Sequence, residues 1–591
     1  MSESDSSNIE RPVPSGANAA AFGSDAVADA LRVLDIPYIA LNPGASYRGL
    51  HDSLVNYLGN ERPQMLLCLH EESAVAIAHG YAKVTGRAMA AAVHSNVGLM
   101  HATMAIFNAW CDRMPVLVIG ATGPVDAAKR RPWIDWIHTA RDQGALVRDY
   151  TKWDDQPASP AAAREALWRD AWIAQTAPMG PVYVNLDAGM QEEPLPEPVP
   201  PLDAARFMPP MASVPAPEAV AKAAALLKAA KDPVMLIGRT SRRLDAWNAR
   251  VAFANAIGAR VITDLKVGAS FPTDHHRHLG APSVLVPDAE GLTALGKADV
   301  ILSLDWVDLA GTLKAAKAPS PGAKVIHVSI DYQVTNGWSM DHQGLPPVDL
   351  HLGADPDSAV PLLIEALGET PNRVFARTAP EEPVLPGGPL IVEHLARALH
   401  DAVGEREVSL THLPLSWNGA WWPFRHPLDF LGSDGGGGLG AGPGVTVGAA
   451  LALRGSGRLP IGICGDGDFL MGATALWTAV HYRIPLMIVV ANNRSFYNDE
   501  VHQERVARMR NRPVENKWIG QRMSDPDIDL ASMARAQGAA GFGPIEATGD
   551  LAATFNEAIA AVEAGGVAVV DVRVEPGYTP AMTAALSRKG D

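Results

Sequence analysis

The chain has 591 residues, of which 47% are hydrophobic, 19% charged and only 6% aromatic, and its formal net charge is −16. At roughly 100–200 residues per domain, this length predicts three or four folded units rather than one core. The acidic balance argues against nucleic acid or an anionic membrane as the main partner, and the longest apolar runs, such as Pro485–Ala491, are strand-length and cannot span a bilayer.

Residues Met1–Gly16 are rich in Ser, Asp and Pro and have no apolar core, so they read as neither signal peptide nor anchor. From about Ala20 to Gln191, short apolar runs alternate with helix-like stretches. Ile36–Leu41, Met65–Leu69, Ala88–Val93, Pro115–Gly120 and Gly180–Leu186 read as strands, and Glu71–Thr85 and Met100–Cys111 as helices. This alternation predicts βαβ units on a parallel sheet. Glu192–Pro215, rich in Pro and acidic residues, reads as a linker. A second α/β region follows, with strands at Pro233–Ile237, Val261–Thr263, Val300–Leu304 and Lys324–Ser329. After a Pro-rich break at Thr370–Pro389, a third has strands at Pro460–Cys464, Leu486–Ala491 and Gly566–Val572. The predicted architecture is therefore three doubly wound parallel-sheet α/β domains, over residues 17–191, 216–368 and 389–580. Cys68, Cys111 and Cys464 sit in apolar stretches without metal-ligand spacing, which reads as reduced, buried thiols in a cytoplasmic protein.

The sharpest motif is Gly465-Asp466-Gly467-Asp468, with Asn492-Asn493 following, so that Asn493 comes twenty-seven positions after Asp466. Both halves fall at predicted strand ends, where open α/β sheets bind ligands. Gly465 and Gly467 are expected to allow a sharp turn into a helix near Ala473 and to let phosphate approach the backbone. A carboxylate from Asp466, an amide oxygen from Asn493, a backbone carbonyl and two phosphate oxygens suit octahedral Mg²⁺.

A GDG, about thirty residues and an NN resemble the motif of thiamine-diphosphate (ThDP) enzymes. Over nearly its whole length the chain is similar to the benzoylformate decarboxylase and acetolactate synthase group. The resemblance implies pyrimidine-binding, central and diphosphate-binding domains, with ThDP and Mg²⁺ as cofactors. It assigns Mg²⁺ to Asp466, Asn493 and, by position, the Ser495 carbonyl. It also places Gly465, Gly467, Asp468 and two residues of the Gly435–Gly440 loop, Gly438 and Leu439, against the cofactor, Leu439 as the apolar wedge between its two rings. The loop is expected to lead into a helix near Val445. Glu71, at the start of a helix and followed by Gly80-Tyr81-Ala82, matches the family's cofactor-activating carboxylate, with Glu72 as a first-turn acid beside it. In the family these two groups come from different subunits, so a homodimer is the smallest active unit and a homotetramer is expected.

His94-Ser95 resembles the His-Ser of benzoylformate decarboxylase, which makes His94 a candidate acid/base; a strand-end histidine bonded to backbone is the alternative. Ser46 is offset by one from the family's carboxylate-binding serine. The family's second catalytic histidine has no counterpart at Leu304–Asp308, and His275, His276 and His278 read as solvated. His101 and His138 are candidates for the pocket, and so is the Trp417, Trp421, Trp422 and Phe424 cluster, for which core packing is the default. The resemblance implies a ThDP- and Mg-dependent 2-oxo-acid decarboxylase with carboligase capacity, acting through ylide and enamine intermediates. An acetolactate-synthase-like transferase and a lyase of 2-hydroxy ketones or 2-hydroxyacyl thioesters are alternatives. An inactive binding subunit is opposed by the presence of Glu71, Asp466 and Asn493. FAD is not expected in the central domain.

Overall fold

The structure, a computed structural model, describes residues 10–16, 19–200, 203–211, 213–334, 344–368, 387–578 and 582. Most of the Pro-rich break at 370–389, and the outermost residues of the first and third predicted domains (17, 18, 579 and 580), lie outside the described residues.

Three sheets form, and every pairing between their strands is parallel. The first contains β1 (Tyr38–Leu41), β2 (Gln64–Leu67), β3 (Met89–Val93), β4 (Val116–Thr122), β5 (Asp154–Asp155) and β6 (Val182–Asp187), in the order β2-β1-β3-β4-β6-β5. The second contains β7 (Pro233–Ile237), β8 (Arg260–Thr263), β9 (Val300–Leu304), β10 (Lys324–Val328) and β11 (Leu350–Leu352), in the order β11-β10-β9-β7-β8. The third contains β12 (Val408–His412), β13 (Leu459–Gly465), β14 (Leu486–Asn492), β15 (Ala540–Ile545) and β16 (Val567–Arg573), in the order β12-β13-β14-β16-β15. Central strands such as β4 and β14 are buried along their full length, which explains their unbroken apolar runs: helices cover both faces. β12 and β15 were not expected. Ser409-Leu410-Thr411-His412 has no apolar run, and Ala540–Ile545 carries two glycines and a proline, yet both strands pair at the ends of the sheet.

Local structure departs from the sequence reading elsewhere too. Within the predicted linker, Ala188–Glu192 and Ala204–Phe207 are helical. The helix after β13 begins at Asp466, not near Ala473, and the helix after the glycine loop begins at Ala441, not near Val445. Gly465 is extended, at φ −72°, so it does not serve a left-handed turn. Gly467 is needed for space, since a Cβ there would lie 2.6 Å from Cε1 of Phe496.

The helix Glu71–Thr85 is capped by His70, whose side chain accepts from the Glu72 N–H, and ends at Gly86 with φ 65°. It crosses the Ala441–Ala452 helix through reciprocal glycines. A Cβ on Gly80 would lie 2.1 Å from the Val445 carbonyl oxygen, and one on Gly448 would lie 1.9 Å from that of Ile77. The first and third sheets share one core around this crossing, including Val75, Ile77, Val445, Val447 and Phe469. A methyl group at the crossing must push backbone apart. Gly448→Ala is therefore expected to destabilise the protein by about 1–3 kcal/mol despite alanine's better helix propensity. The urea midpoint checks this; an unchanged or raised midpoint would mean the helices separate without cost.

Candidate active site

A cavity of about 550 Å³ opens where β12, β13 and β14 end, lined by Gly465, Asp466, Gly467, Asp468, Asn493 and Ser495, with Leu439 beside them. Asp466 is only 4% exposed. Its Oδ1 accepts from the Gly467 N–H at 2.9 Å and its Oδ2 from the Ser495 N–H at 3.2 Å. Burial pushes its carboxyl up to about 6, against the lowering effect of these backbone donors. A buried carboxylate served by backbone N–H groups fits a bound cation. Asn493 Oδ1 accepts from the same Ser495 N–H at 2.9 Å, which brings the two side-chain oxygens to one amide. Asn492 turns the other way and donates from Nδ2 to Asp571 Oδ1 at 2.9 Å. The two asparagines thus divide the work between core and cavity. The Ser495 hydroxyl donates to Glu500 Oε1 at 2.6 Å.

The glycine loop reaches the cavity through Gly435, Gly437 and Leu439, and Leu439 is 45% exposed. Gly438 does not line it; a Cβ there would lie 2.4 Å from Met104 Cε. Trp417, Trp422 and Phe424 are core residues, and His278 is fully buried against Thr263 rather than solvated. Cys68 and Cys464 are buried, whereas Cys111 is partly buried and lines the cavity.

A second group of residues gathers at the C-terminal edge of the first sheet. Glu71 is 6% exposed, and its Oε1 would lie 2.8 Å from a Cβ on Gly98, so only glycine there leaves the carboxylate room. Glu71 Oε2 lies 3.1 Å from Nδ1 of His101, whose ring stacks on His70 at 4.9 Å. Glu72 points elsewhere: its Oε1 would be 3.7 Å from a Cβ on Gly440, and burial, then Asp468, raise its pKa. Glu71 does not line the cavity that holds Asp466.

His94 ends β3. Its Nδ1 lies 2.9 Å from Ser46 Oγ and 3.4 Å from the Ser46 N–H. Ser46 Oγ itself accepts from the Ser95 N–H at 3.1 Å, so its own proton is free for the ring. Nδ1 therefore accepts, and the neutral ring carries its proton on Nε2. The His138 ring meets His94 edge-on with centroids 4.7 Å apart. Burial, then His138, lower the His94 pKa. The pairings of His94 with Ser46 and His138 carry no sequence signal, because they join residues far apart in the chain.

Three family models match in chain order: the thiamine pyrophosphate enzyme N-terminal TPP binding domain over residues 22–146, the central domain over 220–346 and the C-terminal TPP binding domain over 415–572. The chain belongs to the thiamine pyrophosphate enzyme family. It is 27% identical to benzoylformate decarboxylase of Pseudomonas aeruginosa over 458 residues, which cover 73% of this chain and 79% of that protein. It is 25% identical to the acetolactate synthase large subunit of Corynebacterium glutamicum, over 80% of this chain and 75% of the relative. Among solved structures, benzoylformate decarboxylase from Polynucleobacter necessarius matches with a TM-score of 0.78 and 21% identity, over 95% of this chain and 99% of that one. The 4-hydroxybenzoylformate decarboxylase of Rhodococcus jostii matches with a TM-score of 0.75 and 21% identity, over 94% and 99%. No described helix is long and apolar enough to cross a membrane.

The hydrogen bonds around His94 fix a tautomer that can be measured. Nitrogen NMR of histidine-labelled protein is expected to show a pyridine-like Nδ1 and a protonated Nε2 at neutral pH, and Ser46→Ala to loosen that preference. A protonated Nδ1 in the unmodified protein would contradict the arrangement.

Proposed function

We propose that this protein is a ThDP- and Mg²⁺-dependent 2-oxo-acid decarboxylase with carboligase capacity. When bound, ThDP supplies a nucleophilic carbon that adds to the 2-oxo carbonyl and accepts the electron pair released with CO₂. Asp466 and Asn493, with the Ser495 carbonyl, would hold Mg²⁺ against the diphosphate, while Gly465 and Gly467 leave room for phosphate. Glu71 would hold a proton at the pyrimidine nitrogen, with His101 against its other oxygen. His94 would pass its Nε2 proton to the reacting centre only as Nδ1 takes a proton through the Ser46 hydroxyl, which solvent replaces, so that no imidazolate forms.

The observation that carries the decarboxylase reading is the neutral His94, anchored by Ser46 on the sheet edge that also presents Glu71. Its lowered pKa keeps the ring uncharged further into the acid range than an ordinary histidine, whose pKa is about 6.5. Similarity to the acetolactate synthase of C. glutamicum over 80% of the chain favours, as a second reading, a transferase that passes the same intermediate carbon to a second 2-oxo acid.

Because Glu71 lies outside the Asp466 cavity, a complete site requires a second copy of the chain. Val97 (37%), Met100 (52%), Leu439 (45%) and Met471 (59%) expose apolar surface in the single chain, suited to a homodimer or a dimer of dimers.

Purified protein with ThDP and Mg²⁺, offered a panel of aryl and alkyl 2-oxo acids, is expected to release CO₂ with aldehyde or hydroxyketone products. CO₂ released only alongside 2-hydroxy-2-alkyl-3-oxo acids would favour the transferase. Glu71→Gln is expected to retain ThDP but lose turnover by about 10²-fold or more; near-normal turnover would remove Glu71 from its role. Asp466→Ala is expected to weaken ThDP retention at fixed Mg²⁺, read by gel filtration and cofactor assay. In the kcat/KM profile the acidic limb is expected below pH 6.5, and His138→Gln to move it upward, because a neighbour that lowers the His94 pKa is lost. A limb unmoved by this change would detach His138 from His94.

A further inference from the structure

At the floor of the cavity, His412 ends β12 beside Asp468, Asp434 and Cys464. His412 is 5% exposed and Asp468 is 3% exposed. His412 Nδ1 lies 3.0 Å from the Ile463 carbonyl oxygen; a carbonyl only accepts, so Nδ1 carries a proton. Nε2 faces two carboxylates, Asp434 Oδ1 at 3.6 Å and Asp468 Oδ2 at 3.8 Å. Two anions at that nitrogen favour a proton there as well, which makes the ring an imidazolium. Burial opposes this charge, but Asp468, Asp434 and Cys464 outweigh it and hold the ring well above the usual imidazole range.

Asp468 is not a spare acid in the turn. Its Oδ1 accepts from the N–H groups of Gly440 at 2.7 Å and Gly442 at 3.3 Å, where the glycine loop becomes the Ala441–Ala452 helix. It thereby fixes the loop that carries Leu439. This places a second carboxylate, besides Asp466, in a turn that must also receive an anionic diphosphate. The other cations lining the cavity are committed elsewhere: Lys266 pairs with Asp264 at 3.3 Å, and Arg239 with Asp331 at 3.4 Å and Asp305 at 3.7 Å.

We propose that His412 is a positioning residue for the cofactor: as a buried imidazolium it neutralises Asp468, so that Asp468 can clamp the glycine loop beside an anionic ligand. The proposal rests on reading the cavity as a diphosphate site, and it predicts coupling between the two residues rather than an effect of either alone.

The test uses the full-length protein and three variants, His412→Asn, Asp468→Asn and the double variant, with ThDP affinity measured calorimetrically at fixed Mg²⁺ and the thermal midpoint measured without cofactor. His412→Asn leaves Asp468 uncompensated and is expected to raise the ThDP Kd by about tenfold or more and to lower the midpoint. In the Asp468→Asn background, the same change is expected to alter Kd by less than about threefold, because no charge remains to balance. Equal effects in both backgrounds would overturn the proposal. Should His412→Asn fail to fold, recovery of a folded protein in the double variant supports the pairing, and failure of the double variant as well refutes it. Zinc or another transition metal bound stoichiometrically to the unmodified protein and lost in Asp468→Asn would also overturn it, since the cluster would then be a metal site. Absence of ThDP binding by the unmodified protein would instead sink the functional reading, leaving the midpoints to judge the pair.

Discussion

The crossing of the Glu71–Thr85 and Ala441–Ala452 helices sets the geometry of everything that follows. Gly80 meets the backbone at Val445 and Gly448 meets the backbone at Ile77, so the two helices pack at backbone contact in both directions. Close packing of this kind leaves little freedom to slide or rotate, because any side chain at either position would collide. One helix begins with Glu71 and Glu72, and the other is entered through the glycine loop. The crossing therefore fixes where a carboxylate of the first domain stands relative to the loop of the third. The shared core extends this rigidity to both sheets, and Thr478 and Tyr482 add hydrogen bonds to the backbone of Leu67, at 2.8 and 2.9 Å.

Within that frame the acids of the two edges are treated differently. Glu71 lies against His101 and the bare backbone of Gly98; Asp466 is served by backbone N–H groups; Asp468 has loop amides on one oxygen and a histidine near the other. Burying a carboxylate is costly unless something balances the charge. The nature of the balancing group then indicates the task. Burial leaves Asp466 with a raised pKa despite its backbone amides, as suits a carboxylate that would meet a cation, whereas on the proposed pairing His412 would balance Asp468 within the chain. Glu71, Asp466 and Asp468 are thus separable by their surroundings rather than by their sequence.

Much of this was legible in the chain. Alternating apolar runs and helical stretches announced three parallel sheets, because strands buried on both faces cannot conceal their composition. The GDG and NN motifs stood at consecutive strand ends for a topological reason that sequence spacing preserves. What escaped was set by contacts across the fold. β12 has Ser, Thr and His in a five-residue strand, and its burial comes from neighbours rather than from its own apolarity, so the position of His412 at the cavity floor could not be read. The offset of Ser46 looked like a departure from the family pattern. In three dimensions it brings the hydroxyl to His94 Nδ1, a pairing across 48 positions. His278 reads as solvated because it lies in a loop rich in histidine, whereas its ring bonds the strand residue Thr263.

On the proposed reading, the division of labour between the two edges is the reason a second copy of the chain would be needed to complete a site. The first sheet's edge collects proton carriers, with His70, Glu71, His94, His101 and His138 supplied by the turns and helices after β2, β3 and β4. The third sheet's edge carries Asp466, Asn493 and Ser495, and its cavity is lined without any of those proton carriers. Proton carriers need a partly open, uncharged setting to stay near neutral pKa, while an anion cradle needs fixed amides and charges shielded from water. Placing both in one turn would compromise each: a diphosphate beside His94 would hold it protonated, and an imidazolium there would no longer accept a proton. On that reading, separate edges brought together by a second copy of the chain would keep the electrostatics of each intact until the cofactor spans them.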